Sequence, residues 1–334
     1  MKSVMKRKLG RSGIEVSAMG LGCWAIGGQL TAQGMPLGWG NVDDEESIRA
    51  LNRGLDLGIN FLDTADVYGA GHSEKLIAKA IKGKRDKVVI ATKFGMVFDS
   101  EKRESSFEGN TSPEYIKKAL EASLSRLQTD YIDLYQLHIG DLPVEDALAV
   151  RNSLEELVEQ GKIRGYGWST DDFERAGFFA EGENCTAVQQ ELNVFVGNEK
   201  ILKLCKEKNL ASINRGPLAM GLLTGKFTKN TTFTEDDCRS ITHLFGDEYY
   251  NFFDEGKPNS ELLKKLDSIK EILTSNGRTL TQGALAWIWA KNEKTIPIPG
   301  FKTVIQVEEN AGAMHFGPLS ENQMQEIDSI LKSN

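Results

Sequence analysis

Four ionisable residues, Asp63, Tyr68, Lys93 and His138, each fall just past the end of a short apolar run, in GINFLDTADVYG, KVVIATKFG and YIDLYQLHIG. If those runs are parallel strands of one sheet, the four side chains meet at the strands' carboxyl ends, the face on which α/β barrels build active sites. An acid, a phenol, an amine and an imidazole gathered there suit proton-transfer chemistry. Lys93 closes an apolar strand, where an unpaired ammonium is costly, so an ion pair with Asp63 is expected. Such a pair sets positive charge beside Tyr68, which favours the phenolate and lowers the phenol pKa from about 10. Each residue also has a plainer reading: Asp63 with Lys93 as a structural ion pair, His138 as a hydrogen-bonded strand-end histidine. Their joint arrival at one face favours chemistry.

The elements that must position them alternate between strand-like and helix-like almost from end to end. Asp43 and Glu46 have the spacing of a capping box before Ile48, Leu51 and Leu55, and Gly58 ends that helix. Ser73 is expected to cap a helix that turns Leu76, Ile77, Ala80 and Ile81 inward. Ser112 with Pro113 opens a third helix, and a fourth runs from about Val144 to Gln160, where Gly161 stops it. IRGYGWS, TAVQ, LASIN and KTIPIP supply the later strands, with helices near 171–180, 198–208 and 280–291. Counting MGLGCW near residue 20 as the first strand makes eight, which implies parallel βαβ units closing into a (β/α)8 TIM barrel. The leading KRKLGRSGIEVSAMG, with its Ser12-Gly13 turn, reads as a β-hairpin plugging the barrel's bottom. Residues 94–111 and 226–260 are long and polar, and read as loops over the active face.

A chain of 334 residues with 40% hydrophobic and 26% charged content is compatible with a single α/β domain over residues 1–334. The net charge of -8 argues against a broad nucleic-acid-binding face. No run approaches the length of a membrane span or the apolar core of a signal peptide. Cys23, Cys185, Cys205 and Cys238 are scattered without a CxxC, as expected of reduced thiols in a cytoplasm. His72, His138, His243 and His315 show no metal-ligand spacing, so no metal site is expected. Gly20-Leu-Gly22-Cys23-Trp24-Ala25 spells the dinucleotide fingerprint by letters, but no helical period follows it, and its glycines are read as letting backbone approach a ligand. Gly221 to Lys226 is one residue short of a phosphate loop and lacks the closing Ser/Thr.

DTADVYGAGHSE, TKFG and LYQLH, with the opening LGRSGIEVSAMGLGCW, PLAMGLLTGK and the late IPIPGFKTVIQVEEN, closely resemble the aldo-keto reductases over nearly the whole chain. The likeness is to bacterial members of the inositol-operon and general-stress type. It implies hydride transfer from a nicotinamide to an aldehyde or ketone, with Tyr68 as proton donor, Lys93 and Asp63 behind it, and His138 orienting the carbonyl. It also implies that Gly22, Cys23, Trp24, Asp63 and Lys226 border the cofactor, that Ser169, Thr170 and Gln189 hold its carboxamide, and that Gly216, Pro217, Leu218 and Gly221 hold its pyrophosphate. Thr170 stands where the family has Asn. Arg215 replaces the aromatic residue that usually stacks on nicotinamide; it can stack itself, disfavouring the oxidised ring by its charge, or turn away to a phosphate. Gly300, Phe301, Lys302, Thr303, Gln306, Glu309 and Asn310 match the adenosine end. Lys302 lies where a 2′-phosphate would sit, which favours NADPH over NADH.

The partner expected is a small-molecule carbonyl substrate, with no nucleic acid and no membrane, and oligomeric state left open. Trp24, Trp39, Phe94, Phe98 and the aromatic stretch 244–253 are candidates for an apolar mouth, though such residues are as often plain packing. Two rivals stand beside the reductase: an NADPH-binding regulatory subunit with little turnover, and an aldolase using Lys93 as a Schiff-base amine.

Overall fold

Eight short parallel strands arrive at the intervals set by the apolar runs: β1 (Leu21–Gly22), β2 (Phe61–Asp63), β3 (Val89–Phe94), β4 (Leu134–Leu137), β5 (Tyr166–Ser169), β6 (Cys185–Glu191), β7 (Ala211–Arg215) and β8 (Thr295–Pro297). These come from a computed structural model, which describes residues 4–242 and 252–333. Each strand pairs in parallel with the next in sequence. The ring closes where Gly20 N donates to Pro297 O at 2.9 Å and Gly22 N to Pro299 O at 3.0 Å. A Cβ on Gly22 would lie 2.4 Å from Ile298 O, so this glycine admits strand β8. Gly20 and Gly22 therefore serve barrel closure.

Side chains alternate across a strand, so every second residue points into the barrel. Phe61, Val89, Ala91, Leu134, Ala187, Ala211, Ile213, Ile296 and Ile298 fill the interior, and Leu9 and Val16 close it from below. Those last two belong to the antiparallel hairpin Lys6–Lys8 and Glu15–Ser17, as expected of a plug. Two residues further up the same inward rows stand Asp63, Lys93, Gln136 and Gln189, all buried. Period two thus stacks one polar layer on top of an apolar core.

Helices α1 (Asp44–Asp56), α2 (His72–Ala80), α3 (Pro113–Leu127), α4 (Val144–Glu159), α5 (Phe173–Ala180), α6 (Glu199–Glu207), α7 (Ser260–Leu273), α8 (Leu280–Lys291), α9 (Val304–Gly312) and α10 (Glu321–Ser333) complete the chain. Asp43 caps α1 through Glu45 N and Glu46 N, but Glu46 does not return the bond; its carboxylate accepts from Val304 N at 2.8 Å. Ser73 lies inside α2 rather than capping it. Its hydroxyl donates to Cys23 O at 2.8 Å and pairs with Thr64 at 2.8 Å, while Gly71, at φ 90°, turns the chain into the helix. Ser112 caps α3 as expected. Helices α7, α9 and α10 have no counterpart in the sequence reading.

The stretch 94–111 is not irregular throughout. Met96–Asp99 and Glu104–Gly109 form an antiparallel pair, extended by Thr31–Ala32 and Met35–Pro36 into a four-stranded sheet. Its Met96 and Phe98 pack against the buried cluster of Leu30, Ala65, Val67 and Ala70, as do Leu37 and Tyr68. Of the 226–260 stretch, residues 243–251 lie outside the described residues, and with them His243 and most of the aromatic run; Phe252 and Phe253 are buried core. No helix among the described residues is long and apolar enough to cross a membrane. No cluster of His, Cys, Asp or Glu among them could hold a metal, and all four thiols are free and buried.

Candidate active site

Lys93 is fully buried at the top of β3, and its ammonium donates to Asp63 Oδ1 at 2.6 Å, Thr64 O at 2.7 Å and Tyr68 Oη at 3.3 Å. The other Asp63 oxygen accepts from Gln189 Nε2 at 2.7 Å and Gln136 Nε2 at 3.2 Å. Both oxygens of this buried carboxylate are thereby answered by donors, one on Oδ1 and two on Oδ2, as a charge out of water requires. His138 is anchored through its backbone N–H to Phe94 O at 2.8 Å and meets the Tyr68 ring edge-on at 5.8 Å between centroids. Its Nδ1 has no partner. Trp24 stacks on Tyr68 at 6.0 Å between centroids, with the ring planes 26° apart. All four residues singled out by type and spacing therefore gather around Tyr68: Lys93 at its hydroxyl, Asp63 behind Lys93, and His138 against its ring.

The charges do not act on Tyr68 as the sequence suggests. Burial raises the phenol pKa above 10, Lys93 pulls it down, Asp63 pushes it up again, and the net direction is upward. The expected acidification by Lys93 is outweighed by desolvation of the phenolate. Lys93 itself stays charged: burial opposes its charge, but Asp63 and Tyr68 raise its pKa overall. His138 is held well below its ordinary value by burial first, then by Lys93 and Arg215, so its imidazole is neutral at pH 7. Tyr68 thus remains a loaded proton donor through the neutral range. The basic limb of a pH–rate profile for carbonyl reduction is expected to lie above pH 10 where it arises from Tyr68. A limb centred near pH 8 would show that the cation wins after all. Stability follows the same sign: above pH 10 the unfolded phenol releases its proton before the folded one does, and stability falls as pH rises.

The residues matched to a cofactor fall into two groups. Ser169 ends β5 with its side chain nearly enclosed, and Gly216 and Gly221 turn the chain after β7 at φ 59° and 100°. Between them, Ala219 and Met220 are also left-handed, at φ 47° and 52°, a costly backbone that the following loop holds. Pro217 and Leu218 are buried at this turn. Lys226 lies 3.8 Å from Glu309, and Asn310 Nδ2 donates to Gly300 O at 3.5 Å. Phe301 is core. Several others are occupied within the protein. Thr170 gives its hydroxyl to Gly140 O at 2.8 Å, and Cys23 turns its thiol into the core. Gln306 closes a capping box with Thr303 and accepts from Lys302 N at 2.7 Å.

Arg215 is paired with Asp171 and with Glu191, the latter at 3.2 Å. Nη1 donates to Glu191 and Nη2 to Asp171, so two carboxylates hold the guanidinium. Charge compensation by two acids weakens the argument that Arg215 disfavours an oxidised nicotinamide. Sequence reading missed both acids, and Gln136 too. The signal was present, since Gln136 and Glu191 each stand two residues from a residue that was recognised. Arg239 was also missed: it pairs with Asp237 at 2.6 Å and packs over Phe233, Trp39 and Phe227 at 4.2, 4.8 and 5.6 Å.

This geometry coincides with a family match: the model of the Aldo/keto reductase family fits residues 18–332. The chain belongs to the aldo-keto reductases. Aldo-keto reductase yakc [NADP(+)] of Schizosaccharomyces pombe is 35% identical over 337 residues, 97% of this chain and 91% of the relative. Aldo-keto reductase YhdN of Bacillus subtilis is 34% identical over 328 residues, 96% and 92% of the two chains. Among solved structures, the glycerol dehydrogenase AKR11B4 from Gluconobacter oxydans matches with a TM-score of 0.80 at 32% identity, covering 100% of this chain and 96% of the other. This reductase is therefore an oxidoreductase on a (β/α)8 barrel, and the expected family and fold are both borne out.

Proposed function

We propose that this aldo-keto reductase reduces aldehydes and ketones to alcohols with NADPH, and that Tyr68 supplies the proton. The observation carrying the reading is the Lys93 ammonium set between Asp63 and the Tyr68 hydroxyl, at 2.6 and 3.3 Å, with His138 at the rim. The residues suit an extended dinucleotide: glycines bare the backbone after β7, Ser169 offers a hydroxyl, and Lys226 and Lys302 bring two ammonium groups. The name of the fission-yeast relative supports NADP.

NADPH, when bound, supplies the hydride. Tyr68 Oη donates its proton to the carbonyl oxygen as negative charge develops there, and Lys93 steadies the tyrosinate left behind. Asp63, held by Gln136 and Gln189, fixes the ammonium beneath the phenol. His138, neutral, donates a hydrogen bond that orients the carbonyl. Trp24 and Phe98 pack near the phenol and favour a carbonyl with an apolar flank. The test is NADPH consumption with a reactive dicarbonyl: turnover at enzyme-like rates supports the reading. Tight NADPH binding without turnover on any reactive aldehyde would instead favour the regulatory role.

A further inference from the structure

Glu46 departs from the role that its spacing on α1 assigns. Its Oε1 leaves its own helix and accepts the N–H of Val304, the first residue of α9, at 2.8 Å. Its Oε2 is held by Arg49, through Nε at 3.1 Å and Nη2 at 2.8 Å. The Val304 hydrogen bond first, then Arg49, keeps the carboxyl below the usual carboxylate range. An ionised carboxylate from one helix therefore sits on the amide at the positive end of another, where anions are favoured.

Lys302 and Thr303 directly precede that amide, and they open the segment read above as the adenosine end. Lys302 does not reach freely into this space. Its ammonium donates to Trp39 O at 2.6 Å, is half-buried, and is lowered in pKa by that burial. Asp237 and Asp236 act on it from the loop after β7, as does Arg239. A phosphate on the ribose would meet a resident carboxylate and a partly engaged lysine. A free ribose hydroxyl would find in the same carboxylate a hydrogen-bond acceptor, the arrangement that dinucleotide sites use for the unphosphorylated cofactor.

We propose that Glu46 sets cofactor selectivity: by placing its negative charge on the first amide of α9 it lowers the preference for the 2′-phosphorylated dinucleotide over its unphosphorylated counterpart. The inference rests on the assignment of residues 300–310 to the adenosine end. Glu46→Gln keeps the length and an acceptor for Val304 N–H while removing the charge. The dissociation constants of NADPH and NADH, read by quenching of tryptophan fluorescence, give the ratio directly. In Glu46→Gln the ratio of the NADH to the NADPH constant is expected to rise about fivefold, chiefly through tighter NADPH. Glu46→Ala, which also bares the amide, is expected to move it in the same direction.

A purely structural tie between α1 and α9 would lower the melting temperature of both variants and leave the ratio alone, and that result overturns the proposal. Lys302→Ala separates the two layers of the argument. Loss of NADPH affinity in Lys302→Ala beside an unmoved ratio in Glu46→Gln sinks the role of Glu46 alone. NADPH affinity untouched by Lys302→Ala removes the adenosine-end assignment, and this inference with it.

Discussion

Tyr68→Phe is expected to lower kcat for carbonyl reduction by roughly 100- to 10,000-fold, the range over which a positioned general acid contributes. The fold has little to lose from the change. The phenol oxygen makes a 3.3 Å contact with Lys93, whose ammonium keeps Asp63 and Thr64 O without it. The ring keeps its contacts with Trp24 and His138, which phenylalanine makes equally well. NADPH affinity should therefore stay within about twofold, since the hydroxyl serves the proton transfer and uniform binding is untouched. Single-turnover reduction and cofactor fluorescence, measured on the same preparations, separate the two. A variant retaining more than a tenth of wild-type kcat would show that another group delivers the proton.

Lys93→Met should cost both activity and stability. The side chain is fully buried, and its removal leaves the Asp63 carboxylate, itself 2% exposed, without its cation. Gln136 and Gln189 still donate to Asp63 but cannot neutralise it. Breaking a buried ion pair from one side typically costs about 3–5 kcal/mol, a large share of a domain's stability. The double variant Asp63→Leu/Lys93→Met is expected to recover much of that loss, because an apolar pair of similar volume needs no solvation. It should recover no activity. Urea denaturation with parallel kinetics checks this. A single variant as stable as wild type would mean that water reaches Asp63, and equal activity would remove Lys93 from the mechanism.

Much of this protein was legible in one dimension because its barrel is periodic. Short apolar runs at regular intervals, each followed by a helical pattern, leave few arrangements other than parallel βαβ units. Strand ends locate chemistry, so Asp63, Lys93 and His138 could be placed on one face, and Tyr68 beside them, from residue type and position. The small sheet over the mouth escaped notice because its strands carry no apolar alternation: Ser106, Phe107, Glu108 and Gly109 are all exposed.

Only the tertiary structure decided what the charges do. Lys93 beside Tyr68 implies a more acidic phenol, yet enclosure reverses the sign. Gln189 holds Asp63 across 126 positions of sequence, Arg215 finds Asp171 and Glu191 on neighbouring strand ends, and Glu46 reaches past its own helix to Val304, 258 positions away. Local pattern is encoded by neighbours a few residues apart, so the sequence alone determines elements and their order. Desolvation and pairwise charge depend on distances through space, and these exist only once the barrel has closed.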